Sequence, residues 1–312
     1  MKKIHRVQYL PLTRPLACLS LIRKLNAFGS STILDLEDSA QNIFDANITD
    51  HLKETARNGL LDISKYNYSE INQPIYVRVN SIKSKYFKSD FDAIVKSYDN
   101  GMKISGIFLP MVSDYSQINE LSNLIIRSKL KLEIVPMIET VKGVENLEKL
   151  LKKDLKKSLF QRVHYGNFDY CADAKLWPFL DPFHDKFWNV IEKIVELLVK
   201  YNKHYVHTPF PFPQDHKLFW ESLKKLSKTN NNLNFWACCV NSELALSEQP
   251  LKISNIDIKK YDYSRNEKIE MAHTICKNFL EGRSNKRSFG VKNNRFIAPH
   301  QYLTAKKYIE NN

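Results

Sequence analysis

Glycine is scarce in this chain, with eight residues in 312. No G-x-G-x-x-G follows the first apolar run, so the phosphate-cradling turn of a dinucleotide fold is missing. Cysteine is sparser still. The five residues (Cys18, Cys171, Cys238, Cys239 and Cys276) are odd in number and form no C-x-x-C pair. That argues against a zinc ribbon or disulfide framework and for a reducing, cytoplasmic setting. No apolar run approaches the roughly 20 residues of a membrane span. The opening MKKIHRVQYLPLTRP has no apolar stretch of secretory length, so no signal peptide and no membrane partner are expected. A zinc finger, an aromatic RNP pattern and a basic arm with heptads are all missing. Acids are in deficit too, 34 against 47 lysines and arginines, for a formal charge of +13. Such a surface would attract nucleic acid or draw an anionic metabolite toward a cleft. The lysines are scattered, and runs such as LKKDLKK (151–157) read as solvated helix faces, so no nucleic-acid partner is expected.

What remains is soluble globular composition, 43% hydrophobic and 26% charged, in a chain long enough for a large buried core. Short β-rich runs recur: RVQYL (6–10), STILDL (31–36), PIYVRV (74–79), SGIFLP (105–110), KLEIVPM (131–137), QRVHY (161–165), KHYVH (203–207) and NFWACCV (234–240). Between them lie stretches whose apolar positions repeat at three- and four-residue steps, the helical period. Eight strands alternating with helices predict parallel pairing and a (β/α)8 TIM barrel over residues 1–250. Residues 251–312 break the alternation. They read as a helix, a polar Gly/Ser/Asn/Lys linker and a closing helix: a C-terminal helical extension.

One stretch is conspicuous in so basic a chain. STILDLEDSA (31–40) runs an apolar strand straight into Asp35, Glu37 and Asp38. Either these acids close a strand, or they stand where a strand delivers chemistry. In a barrel of this kind the C-terminal strand ends face the active site. Reading them off gives Glu37 and Asp38 after strand two, Arg78 and Asn80 at strand three, Pro110 after strand four, Glu139 after strand five, and Asp169 after strand six. Carboxylates facing an arginine outline a hard-cation site of the kind that holds Mg²⁺ through oxygen ligands. His164, His204 and His207 read as core or rim histidines.

TILDLEDSA, IYVRVN, GIFLP, VPMIETVKGVEN and YGNFDYCAD occur in the order and roughly the spacing found in the HpcH/HpaI aldolase superfamily. Over about residues 5–250 the chain resembles the citrate lyase beta subunit-like branch. The resemblance implies a (β/α)8 barrel, usually oligomeric (a homotrimer or hexamer), that binds Mg²⁺ through Glu139 and Asp169. It also implies that Arg78 contacts a small anionic oxo-acid or its enolate, while Glu37 and Asp38 lie beside the metal and its waters. The activity implied is metal-dependent carbon–carbon lyase or aldolase chemistry on a 2-oxo or 2-hydroxy acid, free or as a coenzyme A thioester. A non-catalytic barrel that binds metal and oxo-acid as a scaffold or regulatory subunit is the alternative.

The alternative arises because the pattern breaks in three places. The family's arginine-containing FVPG turn becomes YLPLTRP, which keeps Arg14 as a substrate-binding candidate but puts Leu12 in the glycine's place. The phrase WAIHP becomes WACCV. The tail phrase VDAPH, whose aspartate serves a neighbouring subunit as acid or base, becomes FIAPH (296–300), with Ile297 in the acid's position. The tail is therefore expected as a lid over a neighbouring subunit that brings no carboxylate with it.

Overall fold

The computed structural model describes residues 4–230, 233–282 and 289–312. Eight strands pair in parallel, each with the next: β1 (His5–Pro11), β2 (Ser31–Asp35), β3 (Ile75–Arg78), β4 (Ile104–Leu109), β5 (Glu133–Ile138), β6 (Arg162–Tyr165), β7 (His204–His207) and β8 (Phe235–Cys239). β8 returns to β1 through pairs such as Val7 with Cys238, and the sheet closes into the barrel that the alternation predicts.

The helices are α1 (Pro15–Phe28), α2 (Ala46–Ser64), α3 (Phe87–Asp99), α4 (Tyr115–Arg127), α5 (Val141–Asp154), α6 (Asn167–Asp173), α7 (Asp185–Lys200), α8 (His216–Thr229), α9 (Ser242–Ala245), α10 (Arg265–Gly282) and α11 (Pro299–Glu310). Side chains alternate across each strand. Val7, Ile33, Tyr76, Phe108, Val135, Met137, Val206, Trp236 and Cys238 form one buried cluster, the filling of a closed barrel. Their neighbours, among them Leu10, Leu34, Val77, Ile107, Ile134 and Cys239, belong to the second cluster, shared with the helices. Cys238 and Cys239 thus sit in different cores, and neither forms a disulfide.

Several helix starts are fixed by side-chain caps, and one of them shapes the mouth. The Thr140 hydroxyl accepts a hydrogen bond from the Gly143 N–H at 2.9 Å, opening α5 directly after β5. The chain therefore leaves the sheet at Glu139, which is left at the strand's C-terminal end.

The extension holds more than the expected helix, linker and helix. A two-stranded antiparallel hairpin, β9 (Gly290–Lys292) and β10 (Arg295–Ile297), lies between α10 and α11. Three-residue strands are too short to show a two-residue period. Asn293 and Asn294 both take positive φ (50° and 55°), as a two-residue hairpin turn of type I′ requires. Part of the linker, residues 283–288, lies outside the described residues. Phe279 of α10 is fully buried and stacks on Tyr302 of α11, ring centroids 4.6 Å apart. The Phe296 N–H donates to the Pro211 carbonyl at 2.8 Å, tying the hairpin to the loop after β7. Among the described residues, no helix is long and apolar enough to cross a membrane.

Candidate active site at the barrel mouth

The register of β2 on β3 sets Asp35 directly beside Arg78. The guanidinium uses its fork there: Nε donates to Asp35 Oδ1 and Nη2 to Oδ2, both at 2.7 Å. Its Nη1 meets two more acids, Glu37 Oε2 at 2.8 Å and Asp38 Oδ2 at 2.9 Å. These four contacts leave about one of the five guanidinium N–H groups uncommitted. The Arg78 guanidinium also stands 4.6 Å from the centroid of the Tyr9 ring, a cation–π arrangement.

Asp35 organises the turn as well. Its two oxygens accept from the Glu37 and Ser39 N–H groups, each at 3.0 Å, which aims the next acids at the mouth. Below them Lys53, buried on α2, donates to the Glu37 carbonyl at 2.6 Å and to Asn80 Oδ1 at 2.7 Å. Burial alone would raise the Asp35 carboxyl, but Arg78 outweighs it and holds the group below its usual range. Asp38 behaves likewise, with burial outweighed by Arg78 and His300. Glu37 goes the other way: burial and the Asp38 charge push it well above the carboxylate range.

The second half of the site comes from β5, α6 and the tail. Glu139 is nearly inaccessible, and its Oε1 accepts from the Met111 N–H at 2.7 Å. Met111 holds a left-handed φ of 58° to make that contact, just after Pro110 at the end of β4. The other oxygen of Glu139 lies against Gly166: a Cβ there would stand 2.4 Å from Oε2, so this position has no room for any side chain. Burial and the charge of Asp169 push Glu139 up to about 8. Asp169, in the first turn of α6, is raised mainly by burial.

His300, at the start of α11, points its Nε2 at both Asp169 Oδ1 (3.1 Å) and Asp38 Oδ1 (3.7 Å). Burial opposes its protonation, but the two aspartates win and raise it to about 10. The N-terminus of α11, the positive end of its dipole, thus meets the acids of the mouth, which supplies an electrostatic reason for the tail to dock here.

These groups border a cavity of about 120 Å³ lined by Tyr9, Asp35, Asp38, Arg78, Asp169 and His300, among others. Glu37, Glu139 and Pro110 are not part of that lining; Glu139 sits behind Gly166, and Pro110 is buried. Arg14 lines a second, larger cavity of about 860 Å³, which adjoins the first through Pro11, Ser39, Val240, Phe289 and Phe296. Leu12 turns into the core, so its bulk stays out of both. Ile297 is fully buried and borders neither cavity. From the tail it is His300 that reaches the acids, and it does so on its own barrel.

Lys53 and the role of His300 escaped sequence reasoning, and Asp35 was singled out with its neighbouring acids but not paired with Arg78. That pairing could have been found by aligning STILD with IYVR as neighbouring strands. A single lysine on an amphipathic helix carries no local signal, and His300 closes the FIAPH phrase that was read only for Ile297.

The donor set suits a hard divalent cation. Five carboxylates (Asp35, Glu37, Asp38, Glu139, Asp169) converge on Arg78, His300 and Lys53, and burial holds Glu37, Glu139 and Asp169 above their ordinary range. A bound cation would offset that burial cost and favour the ionised carboxylates. Among the described residues, Asp38, Asp169 and His300 place ligand atoms within 4.8 Å of one another.

The barrel has counterparts among known proteins. The model of the HpcH/HpaI aldolase/citrate lyase family matches residues 11–195. No curated protein matches the sequence. Among solved structures, a malate synthase of Haloferax volcanii in a ternary complex with pyruvate and acetyl-CoA superposes with a TM-score of 0.71 at 13% identity. That match covers 100% of this chain and 91% of that one. A citrate lyase beta subunit of M. tuberculosis, complexed with oxaloacetate and magnesium, gives a TM-score of 0.57 at 16% identity, covering 78% and 96%. RipC from Yersinia pestis gives the same score and identity, covering 78% and 93%.

Proposed function

The chain belongs to the HpcH/HpaI aldolase/citrate lyase family, and on that footing we propose that it is a Mg²⁺-dependent carbon–carbon lyase or aldolase acting on a 2-oxo or 2-hydroxy acid through an enolate. The observation that carries this reading is the excess of buried carboxylate around Glu139 and Asp169 at the C-terminal mouth of a closed barrel. Glu139 and Asp169 would hold the ion, with Glu37 and Asp38 beside it. When bound, the cation supplies Lewis-acid polarisation of the carbonyl and countercharge for an enolate.

The chain's own residues do the rest. Arg78 is locked by Asp35, so it presents a fixed positive charge and its remaining N–H to the substrate's carboxylate or enolate oxygen. The fork itself stays with Asp35. Phe168, Phe296 and Met137 line the same cavity and keep water from the reacting carbon. The adjoining cavity beside Arg14 is roomy enough for a second, larger reactant such as a coenzyme A thioester, a use in keeping with the acetyl-CoA of the malate synthase complex. The extension after residue 250 acts as the lid, on its own barrel or exchanged with a neighbour's in a trimer or hexamer.

Titration of metal-free protein with Mg²⁺, and then with oxalate or pyruvate, tests the proposal. Saturable Mg²⁺ binding that Asp169→Asn abolishes is expected, followed by metal-dependent binding of oxalate. A folded protein that takes up neither would refute the reading.

One observation favours the alternative of a non-catalytic barrel. Among the described residues, the tail brings no carboxylate to the cavity, so the lid supplies no acid of the kind the family uses.

A further inference from the structure

We propose that the imidazole of His300 is itself a metal ligand, giving this site a mixed nitrogen and oxygen donor set that admits a first-row transition ion such as Mn²⁺ or Co²⁺ as well as Mg²⁺. The inference rests on the metal reading above and extends its ligand set from Asp169 to Asp38 and to the tail.

Geometry carries it. Two atoms bound to one ion at about 2.1 Å stand about 3.0 Å apart when at right angles, and about 3.6 Å apart at 120°. His300 Nε2 lies 3.1 Å from Asp169 Oδ1 and 3.7 Å from Asp38 Oδ1. All three residues offer ligand atoms within 4.8 Å of one another. Both separations from the His300 Nε2 are compatible with donors to a single ion. The three come from separate places: the turn after β2, the first turn of α6, and the start of α11. No local feature of one loop accounts for their meeting.

The placement of the ring points the same way. His300 follows Pro299 at the start of a 12-residue helix, so the backbone fixes where its ring enters the mouth, and an ion bound there would displace the proton that the two aspartates favour on the ring. Imidazole shifts a site's preference toward later transition ions, whereas an all-oxygen set suits magnesium. A histidine on the lid would also couple metal retention to closure of the tail.

Metal-free protein titrated with Mg²⁺, Mn²⁺ and Co²⁺, together with pulsed EPR of the Mn²⁺-loaded form, tests this. The wild type should show a directly bound ¹⁴N, and both His300→Ala and His300→Gln should lose it. Co²⁺ affinity should fall about tenfold or more in the variants while Mg²⁺ affinity changes less than about threefold. Since any site binds Co²⁺ more tightly than Mg²⁺, the change in their ratio decides. Mn²⁺-loaded wild type without nitrogen coupling would overturn the proposal. So would His300→Ala binding both ions more tightly, which would show that the ring merely competes with the cation. Either result leaves the metal site standing, provided that Asp169→Asn abolishes binding. If the wild type binds no divalent ion, the functional reading falls as well.

Discussion

Arg78 and Glu139 are opposite cases of burial. Arg78 is surrounded by acids, and its contact with Asp35 is two-pronged. Arg78→Lys keeps the charge but cannot span both oxygens of Asp35, so the ammonium shifts and the acids of the turn lose their aim. Oxalate affinity should drop about tenfold, with Mg²⁺ binding retained, and an oxalate titration of the Mg²⁺-loaded variant reads this directly. Among the described residues no cation contacts Glu139, and its carboxyl is raised to about 8 from an ordinary 4.5. Between those values the folded protein keeps a proton that the unfolded chain has lost, so metal-free stability falls as pH rises and levels off above about 8. His300, raised to about 10 from 6.5, adds a loss of the same sign across that higher window. Asp35 and Asp38 are depressed, and their contributions are already complete by about pH 5. Urea denaturation in a chelating buffer from pH 5 to 8 should therefore show falling stability. Glu139→Gln should flatten the slope and be the more stable protein at pH 8.

At the level of elements, the site depends on three junctions: β2 to its acidic turn, β6 to α6, and the hairpin to α11. Gly166 governs the second. In Gly166→Ala the new Cβ would meet Glu139 Oε2 at 2.4 Å and its Cβ at 2.8 Å, so the carboxylate must move. Mg²⁺ affinity should fall about tenfold or more while far-ultraviolet circular dichroism stays that of a folded barrel. The third junction depends on Phe279 stacked against Tyr302. Phe279→Ala should cost about 3–5 kcal/mol locally. It should free α11 first, seen as faster hydrogen exchange across residues 299–310 than in the barrel strands. The junctions also divide what the sequence could reveal. The eight strands were legible because each is a run of β-branched and aromatic residues between helix-length segments. Their ends named Glu37, Asp38, Arg78, Glu139 and Asp169, and the structure brings these residues together at one mouth. The hairpin at 290–297 was hidden by its brevity. Asp35 stood out in STILDLEDSA, but its pairing with Arg78 was visible only once the register of β2 on β3 was known. His300 meets Asp169 through tertiary packing that no local pattern encodes.

Across the whole molecule, a chain of net charge +13 concentrates five carboxylates at one end of its barrel. A net positive charge favours the approach of a small anion, and on the proposed reading a bound cation lets the acids of the mouth receive it. The two demands are compatible if a divalent ion and an oxo-acid occupy the mouth together and the acid forms an enolate there, which is the central claim. It is tested most directly by following the methyl protons of pyruvate by NMR in D₂O, with protein and Mg²⁺ or Mn²⁺ present. The account predicts metal-dependent exchange of methyl protons for deuterium, suppressed in Asp169→Asn and in Glu139→Gln. Metal and pyruvate bound at the mouth with no exchange above the protein-free rate would contradict it.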